Sequence, residues 1–234
     1  MKYLALWFES PIQSWSIDSK FSLRSTFSFP TKSGIAGIIL SSLGRGGEEK
    51  EFLRNFASLR ETAISFKDKN SNSSTSNMID FQVVGNGFDE NDEWELNMIP
   101  KKRDGGKAVG GGSKLTYRHY LQNAYFGVVQ EINESIADEV IDGLQNPHWP
   151  IYLGRRCCIP SYPIYNGVFD SETKAIDKLF DIAKSKNLFE VERMIEGYVE
   201  EAFDTFYIMD VPIIFGKRKE YRDRQISIIR KSYG

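Results

Sequence analysis

The sequence lacks the features that mark membrane or secreted proteins. Across its 234 residues, no apolar run approaches the roughly 20 residues that a transmembrane helix needs. Its two cysteines, Cys157 and Cys158, are neighbours and cannot close the long loops that disulfides stabilise in small secreted domains. The apolar run near the N-terminus is too short for the core of a signal peptide. We therefore expect a cytoplasmic protein that has no membrane partner.

Common catalytic signatures are also absent. The sequence contains no Walker A loop, no complete GxGxxG, no GxSxG elbow and no HExxH. A zinc site would have to combine both cysteines with His119 and His148, and adjacent cysteines lack the spacing of the usual C-x-x-C pair. We expect no metal and no cofactor, and we interpret the cysteine pair as core packing.

The charges that are present are segregated along the chain. The net charge is only −2 at pH 7. Residues 101–118 contain six basic side chains and one acid, and residues 217–231 contain seven and two, so each segment carries +5. The rest of the chain therefore carries −12. Because a phosphate backbone responds to local patches, these two segments indicate a nucleic-acid partner.

The apolar periodicity predicts an α+β fold. A strand at residues 2–8, stopped by Pro11, precedes a loop that extends to residue 27. A helix then begins near Thr31 or Ser33 and ends at Gly44. The later elements are helices at residues 48–59 and 135–144, and strands at 62–67, 79–84, 121–130 and 151–154. This order is close to the ferredoxin-like βαββαβ unit that RNA-recognition domains also use.

Two regions lie outside this unit in a chain that we expect to form one domain over residues 1–234. Residues 85–116 combine glycine runs with basic side chains and little apolar surface, which predicts a protruding arm. A strand is predicted at residues 94–99 within the arm. Residues 150–234 are predicted to be a C-terminal extension on the core, with two helices in 171–204, a strand at 205–215 and a basic tail.

Several polar and aromatic residues are candidates for RNA binding. Thr31-Lys32-Ser33-Gly34 places a lysine, hydroxyls and free N–H groups at a helix start, which suits a phosphate, although a simple helix cap explains it equally well. Arg155 and Arg156 follow a glycine and form either a phosphate clamp or a solvated pair. Trp15, near Gln13 and Ser14, is a candidate for base stacking, with core packing as the alternative.

One set of residues suits metal-free RNA cleavage. Lys114, Tyr117 and His119 supply the cation, general acid and general base that such a reaction needs. In a strand, every second side chain shares a face, so Tyr117 and His119 would point the same way. The alternative, which we favour, is that His119 is a surface or hydrogen-bonded histidine beside an RNA-contacting Arg118.

Taken together, blocks of sequence resemble a known family. They are Glu9-Ser10-Pro11-Ile12-Gln13-Ser14-Trp15, Arg24-x-Thr26, Pro30 to Gly37, Leu115-x-x-Arg118-x-Tyr120-Leu121-Gln122-Asn123-Ala124-x-Phe126, Tyr152 to Ser161, and Asp210-Val211-Pro212 with Tyr221-x-x-Arg224. In this order they span nearly the whole chain. They resemble the CasD family of the RAMP superfamily, the type I-E CRISPR Cascade subunits that hold the 5′ handle of the guide RNA.

This resemblance implies a modified RAMP-type fold whose long β-hairpin thumb corresponds to residues 85–116. It implies a non-catalytic scaffold that caps the filament of backbone subunits. The expected partners are the guide RNA, the backbone subunit and the large subunit, with target DNA reached only through the complex. Relatives in type I-C systems process the precursor RNA, so a metal-independent endoribonuclease that uses Lys114, Tyr117 and His119 is the alternative function.

The expected RNA contacts follow from the same resemblance and from the charge pattern. Phosphates are assigned to Arg24, Lys32, Arg118, Arg155 and Arg156. Bases or ribose are assigned to Gln13, Trp15 and Tyr117. The remaining expected contacts are Ser14, Ser33, Lys101, Lys102 and Arg103.

Overall fold

A computed structural model describes residues 1–16, 19–20, 22–70, 76–85, 91, 103–104 and 113–231 of the protein. In this part of the chain, ten strands form one sheet and four helices cover its faces. The strands are β1 (Lys2–Gln13), β2 (Ser19–Lys20), β3 (Leu23–Arg24), β4 (Glu61–Asp68), β5 (Ser76–Gly85), β6 (Ser113–Ile132), β7 (Tyr165–Phe169), β8 (Leu188–Glu196), β9 (Asp204–Ile214) and β10 (Glu220–Arg230). The helices are α1 (Lys32–Ser42), α2 (Lys50–Phe56), α3 (Glu134–Gln145) and α4 (Glu172–Ser185). None of these helices is long and apolar enough to cross a bilayer.

The core of the sheet has the predicted ferredoxin-like arrangement. Its strands are ordered β7–β1–β6–β4, and every neighbouring pair is antiparallel. The α+β class is therefore confirmed. The closing strand, however, is β7 and not residues 151–154, which form a loop without strand pairing.

Strand β1 is buried on both faces of the sheet. Leu4, Leu6 and Phe8 contribute to the apolar cluster with α1–α3, whereas Ala5 and Trp7 contribute to the cluster with α4. Two covered faces explain why the strand is a nearly continuous apolar run instead of an alternating one.

The prediction that Pro11 stops the first strand is wrong. The pairing of β1 with β6 omits Pro11 and Asn123 and resumes at Ile12 with Gln122. Asn123 has a positive φ of 51°, so the ladder accommodates an irregular position there. Proline is tolerated where its missing N–H is not needed for the ladder.

The C-terminal residues extend the sheet beyond β4 in the order β8, β10, β9. The first helix predicted within residues 171–204 is α4, and the strand predicted at 205–215 is β9. The second helix is wrong, because residues 188–196 form β8, which hydrogen-bonds to β4 and β10. The predicted basic tail is also wrong, since most of it is β10, a strand with a neighbour on each side.

Strands β5 and β6 form a long hairpin. Their register is continuous from Ser76 opposite Gln122 to Gly85 opposite Ser113. Only the ends of the predicted arm at residues 85–116 belong to this ladder. The rest of the arm, including the strand predicted at 94–99, lies outside the described residues apart from 91 and 103–104.

A cluster of five charged side chains, four of them buried, joins α1 to the C-terminal strands. Arg224 of β10 binds Asp210 of β9 through two hydrogen bonds of 2.7 Å. Glu196 of β8 accepts from Arg224 at 3.1 Å and from the Lys32 ammonium at 2.8 Å. Glu61 of β4 lies 3.4 Å from Arg224. Because an unpaired charge in the interior is costly, each member depends on the others.

Glu61 is the least well paired member of this ion cluster. Its Oε2 has no hydrogen-bond partner among the described residues. Burial raises the pKa of Glu61 to about 7, although the positive charge of Arg224 opposes the shift. Protonation of Glu61 leaves two carboxylates to match the two cations.

The raised pKa predicts a pH-dependent stability. Between pH 4.5, the ordinary pKa of a glutamate, and about 7, the folded chain holds a proton that the unfolded chain releases. Stability therefore falls as pH rises through this window. Glu61→Gln should abolish this slope. Above pH 7, the free energy of unfolding of this variant should exceed that of the wild type by about 3 kcal/mol at most, as measured by urea unfolding at a series of pH values.

Arg224→Met should change the free energy of unfolding in the opposite direction in the same measurement. It leaves Asp210 and Glu196 with too few cations and should cost about 3–5 kcal/mol at neutral pH. Parallel pH profiles for the wild type and Glu61→Gln would contradict the assignment of the slope to Glu61.

The loop at residues 150–164 is fixed across the end of β1 by a close backbone approach. Ser14 N donates to the Leu153 carbonyl at 3.1 Å. Gly154 has a φ of +100°, and a Cβ at this position would lie 1.8 Å from the Ser14 carbonyl oxygen. Only glycine fits here, because both the conformation and the space exclude a side chain.

The cysteine pair lies in the same loop. Cys158 is buried and Cys157 is exposed, and both are free thiols. The interpretation of the pair as core packing therefore holds for Cys158 alone.

Gly154→Ala should displace this loop and destabilise the protein, because the new methyl group collides with backbone. A loss of about 1–3 kcal/mol is expected from strain of this kind. Gly37→Ala is the matched control, since a Cβ at this α1 position meets nothing within 4 Å. Gly37→Ala should stabilise the protein by up to about 1 kcal/mol in the same denaturation experiment. An equal loss of unfolding free energy in Gly154→Ala and Gly37→Ala would contradict the prediction.

Candidate nucleic-acid interface

An open groove of about 990 Å³ is bordered by α1, the glycine-rich residues 44–47, the loop at 149–155 and the turn between β9 and β10. Its charged lining consists of four basic side chains and one acidic side chain: Arg24, Arg45, Arg155, Lys219 and Glu49. The excess of positive charge in a concave surface favours a polyanionic ligand.

Arg155 reaches the groove as part of a hydrogen-bonded brace. Its guanidinium donates to the carbonyls of His119, at 3.1 Å, and of Arg24, at 2.9 Å. It also lies 4.5 Å from the centre of the Tyr120 ring. Burial raises the pKa of Tyr120, so its phenol stays neutral beside the arginine. Arg155 thus ties the 150–164 loop to β3 and β6 while contributing its charge to the groove wall.

The structure brings Ser14, Trp15, Arg24, Ser33 and Arg155 of the predicted RNA-binding set to the lining of this groove. Arg24 is exposed, and Ser33 is half-buried at the start of α1. Arg156 is exposed on the adjacent loop and is not part of the groove lining.

Lys32 does not reach the groove, in contrast to the prediction. Its side chain is fully buried, and its ammonium donates to Glu196 and to the Leu59 carbonyl, at 2.6 Å. Its backbone N–H donates to Asp210 at 2.8 Å, so a carboxylate of the protein occupies the helix N-terminus where a phosphate was expected. Thr31 is the N-cap of α1 and accepts from Gly34 N. The cap interpretation of this motif is therefore the correct one.

Gln13 and Trp15 are core residues. Like Lys32 they are buried, so their assignment to RNA bases is wrong. The Gln13 amide donates to the Ala124 carbonyl at 2.7 Å and accepts from the Trp15 indole at 3.1 Å. The Trp15 ring packs against Phe8 at 5.2 Å, and only 1% of its surface is accessible. Gln13 is fully buried, and Trp15 borders the groove with almost none of its ring exposed.

The other predicted residues lie on the β5–β6 hairpin or beyond it. Tyr117 is exposed and packs 5.1 Å from Phe81 across the hairpin, while Arg118 and His119 are half-buried. Arg103 is exposed. Lys101, Lys102 and the side chain of Lys114 lie outside the described residues.

Several charges that the sequence suggests are free are used internally. Arg224 belongs to the buried ion cluster, and Arg230 pairs with Glu192 at 2.7 Å. The segment at residues 217–231 therefore presents less positive charge than its +5 indicates. Its contribution to the groove is Lys219, with Tyr221 beside it.

The groove residues that the sequence did not single out include Arg45, Trp149 and Lys219. Arg45 lies in Gly44-Arg45-Gly46-Gly47, a segment in which the sequence pattern indicates only that a helix ends at Gly44. Lys219 was counted in a basic segment but not singled out. No local pattern distinguishes Trp149, because its position depends on how the 149–155 loop folds back on α1.

Comparison with known proteins agrees with this fold. Residues 3–226 match a family model described as "CRISPR-associated protein (Cas_Cas5)". A comparison with curated proteins gave no match.

Two solved structures are similar over nearly the whole chain. One, described as "CRISPR RNA-guided surveillance complex", has a TM-score of 0.67 and 22% identity, and the match covers 97% of this chain and 89% of the other. A second, described as "Crystal structure of Cas protein", has a TM-score of 0.59 and 21% identity, with coverage of 97% and 94%. At this identity the structures support the fold, whereas the family match extends over most of the sequence. The chain belongs to the Cas5 family of CRISPR-associated proteins.

Proposed function

We propose that this chain is a guide-RNA-binding scaffold subunit of a CRISPR surveillance complex and that its groove holds the 5′ handle of the RNA. The observation that carries the proposal is the convergence of Arg24, Arg45, Arg155 and Lys219 on one groove that contains a single acid, Glu49. Phosphate contacts of this kind supply most of the affinity of a protein for RNA.

The remaining lining of the groove suits a single strand of RNA. The half-buried aromatic side chains Tyr152, Phe215 and Tyr221 line the groove together with the cations, and Ser33 and Ser41 add hydroxyl groups. Proteins that bind single strands combine a basic groove with aromatic surfaces on which bases stack. The hydroxyls are suited to donate to phosphate or ribose oxygens.

The resemblance to type I-E Cascade subunits supplies the proposed setting of this groove. In that setting the chain caps a filament of backbone subunits and contacts the large subunit, while target DNA is reached only through the assembled complex. The cytoplasm is the proposed location. The basic residues Lys101, Lys102 and Arg103 belong to the proposed thumb, which would contact the guide RNA beyond the handle.

A scaffold role is favoured over RNA cleavage by the register of the hairpin. Tyr117 and His119 share one face of β6, opposite Phe81 and Ile79 of β5. The register is continuous, so the backbone places position 114 on the opposite face of the strand from positions 117 and 119. This placement does not favour the three residues as one set of general acid, general base and cation.

Removal of a groove cation should weaken RNA binding without unfolding the protein. Arg24→Ala and Lys219→Ala each delete an exposed charge, and each should cost about 1.5–3 kcal/mol of binding free energy. Each should also reduce the slope of log affinity against log salt by about 0.7, the value for one phosphate on a single strand. Fluorescence anisotropy with a labelled 5′-handle RNA at several salt concentrations measures both quantities.

Lys178→Ala is the matched control for these two variants. Lys178 is an exposed cation on α4, the helix that packs against the opposite face of the sheet from α1. Its loss should leave the affinity and the salt slope nearly unchanged. An equal effect of Lys178→Ala and Arg24→Ala would show non-specific attraction and refute the groove as the site.

The purified chain should not cleave precursor repeat RNA. Incubation with labelled repeat RNA in the presence of a chelator, followed by denaturing electrophoresis, should leave the RNA intact. His119→Ala and Tyr117→Phe should behave like the wild type. Cleavage at one position by the wild type, lost in both variants, would establish the endoribonuclease alternative instead.

A further inference from the structure

Trp149 differs from the other tryptophans that the structure describes. Trp7 and Trp15 have at most 1% of their surface accessible, whereas Trp149 is 44% accessible and lines the groove. Burial of a large aromatic ring is strongly favourable, so a ring that is left partly exposed beside a groove has apolar surface for a ligand to cover. The exposed ring lies in the same groove as the cations that are proposed to hold phosphates.

The backbone of Trp149 is anchored to the end of α1. Trp149 N donates to the Ser41 carbonyl at 3.4 Å, and His148 N donates to the Ser42 carbonyl at 2.9 Å. The residue is thereby tied to a helix whose other end is held by the ion cluster. A side chain on such a support loses little further freedom when a ligand binds.

The surroundings of the indole leave it free to be stacked upon. His148 lies 5.3 Å from the ring at an interplanar angle of 67°, so the imidazole does not cover the indole as a parallel layer. Gly46 is a second neighbour, and a Cβ there would stand 3.5 Å from Cη2 of the indole. Because residue 46 is glycine, this position places no side chain beside the ring.

The charges near Trp149 match a nucleotide. Arg45, in the glycine-rich segment, and Lys219, in the β9–β10 turn, line the same groove. Arg45 is partly neutralised by Glu139 at 2.7 Å, whereas Lys219 is exposed. An aromatic platform with cations within the same groove is the arrangement that holds a base through its face and a phosphate through its charge.

We propose that Trp149 forms a nucleobase subsite in the groove, where it stacks on one unpaired base of the bound RNA. The subsite rests on the proposed function of the groove as an RNA site. Stacking uses the ring face, which every base has, so this subsite positions the strand and discriminates little among bases.

The test combines variants of Trp149 with altered RNA. Trp149→Ala should weaken binding of the 5′-handle RNA by about fivefold to 150-fold, the range for one stacked base. Trp149→Phe keeps an aromatic face and should recover most of the affinity. Tyr198→Ala removes an aromatic side chain of 68% accessibility that lies outside the groove, and it should have no effect.

A series of RNAs with one abasic nucleotide each identifies the stacked base. At a single position, loss of the base should weaken wild-type binding and have no added effect on Trp149→Ala. Additive losses at every position would refute stacking on Trp149, because independent contacts add and a shared contact does not.

A spectroscopic readout keeps the test valid even if Trp149→Ala is unstable. RNA should quench indole fluorescence in the wild type, and most of this quenching should be absent in Trp149→Phe. Equal quenching in both proteins, or wild-type affinity of a folded Trp149→Ala for RNA that Arg24→Ala binds weakly, overturns the subsite and leaves the groove proposal intact. Failure of the wild type to bind the RNA at all overturns the proposed function itself.

Discussion

The buried ion cluster of Lys32, Glu61, Glu196, Asp210 and Arg224 is the interaction on which the shape of the groove depends. Helix α1 borders the groove on one side, and the turn between β9 and β10 borders it on the other. Asp210 binds both Arg224 and the first N–H of α1, so a single carboxylate connects the two borders. Since buried charges tolerate little change in the geometry of their partners, the cluster ties the start of α1 to strands β9 and β10.

This cluster also gives a physical meaning to the sequence blocks that resemble CRISPR-associated proteins. Two blocks that are far apart in the chain contribute Lys32 and the pair Asp210 and Arg224, and the fold brings these residues into contact. The blocks therefore include part of the framework of the fold. Of the cations that border the groove, Arg24 and Arg155 lie within the blocks, whereas Arg45 and Lys219 lie outside them.

In the proposed function, the exposed cations and the anchored residues of the groove have different roles. Exposed cations attract the RNA backbone over a distance that salt shortens, and they carry no information about sequence. Arg155 and Trp149 differ from these cations because both are anchored. The Arg155 guanidinium donates to carbonyls of β3 and β6, and the backbone N–H of Trp149 donates to a carbonyl of α1. Anchored groups bind at a smaller entropic cost, so they are suited to fix where along the groove each nucleotide rests.

The sequence by itself determined the α+β class, the first strand, the capped helix α1 and the helices α3 and α4, because these depend on local periodicity and capping. It did not determine that residues 188–196 are a strand, since the hydrogen bonds that stabilise β8 come from β4 and β10, which are distant in the chain. For the same reason, the local sequence makes Lys32 a candidate phosphate ligand, whereas in the structure Glu196, 164 residues away, binds its ammonium. Local sequence states which charges exist, and only the tertiary structure decides which of them remain free, because burial and pairing are set by residues far apart in the chain.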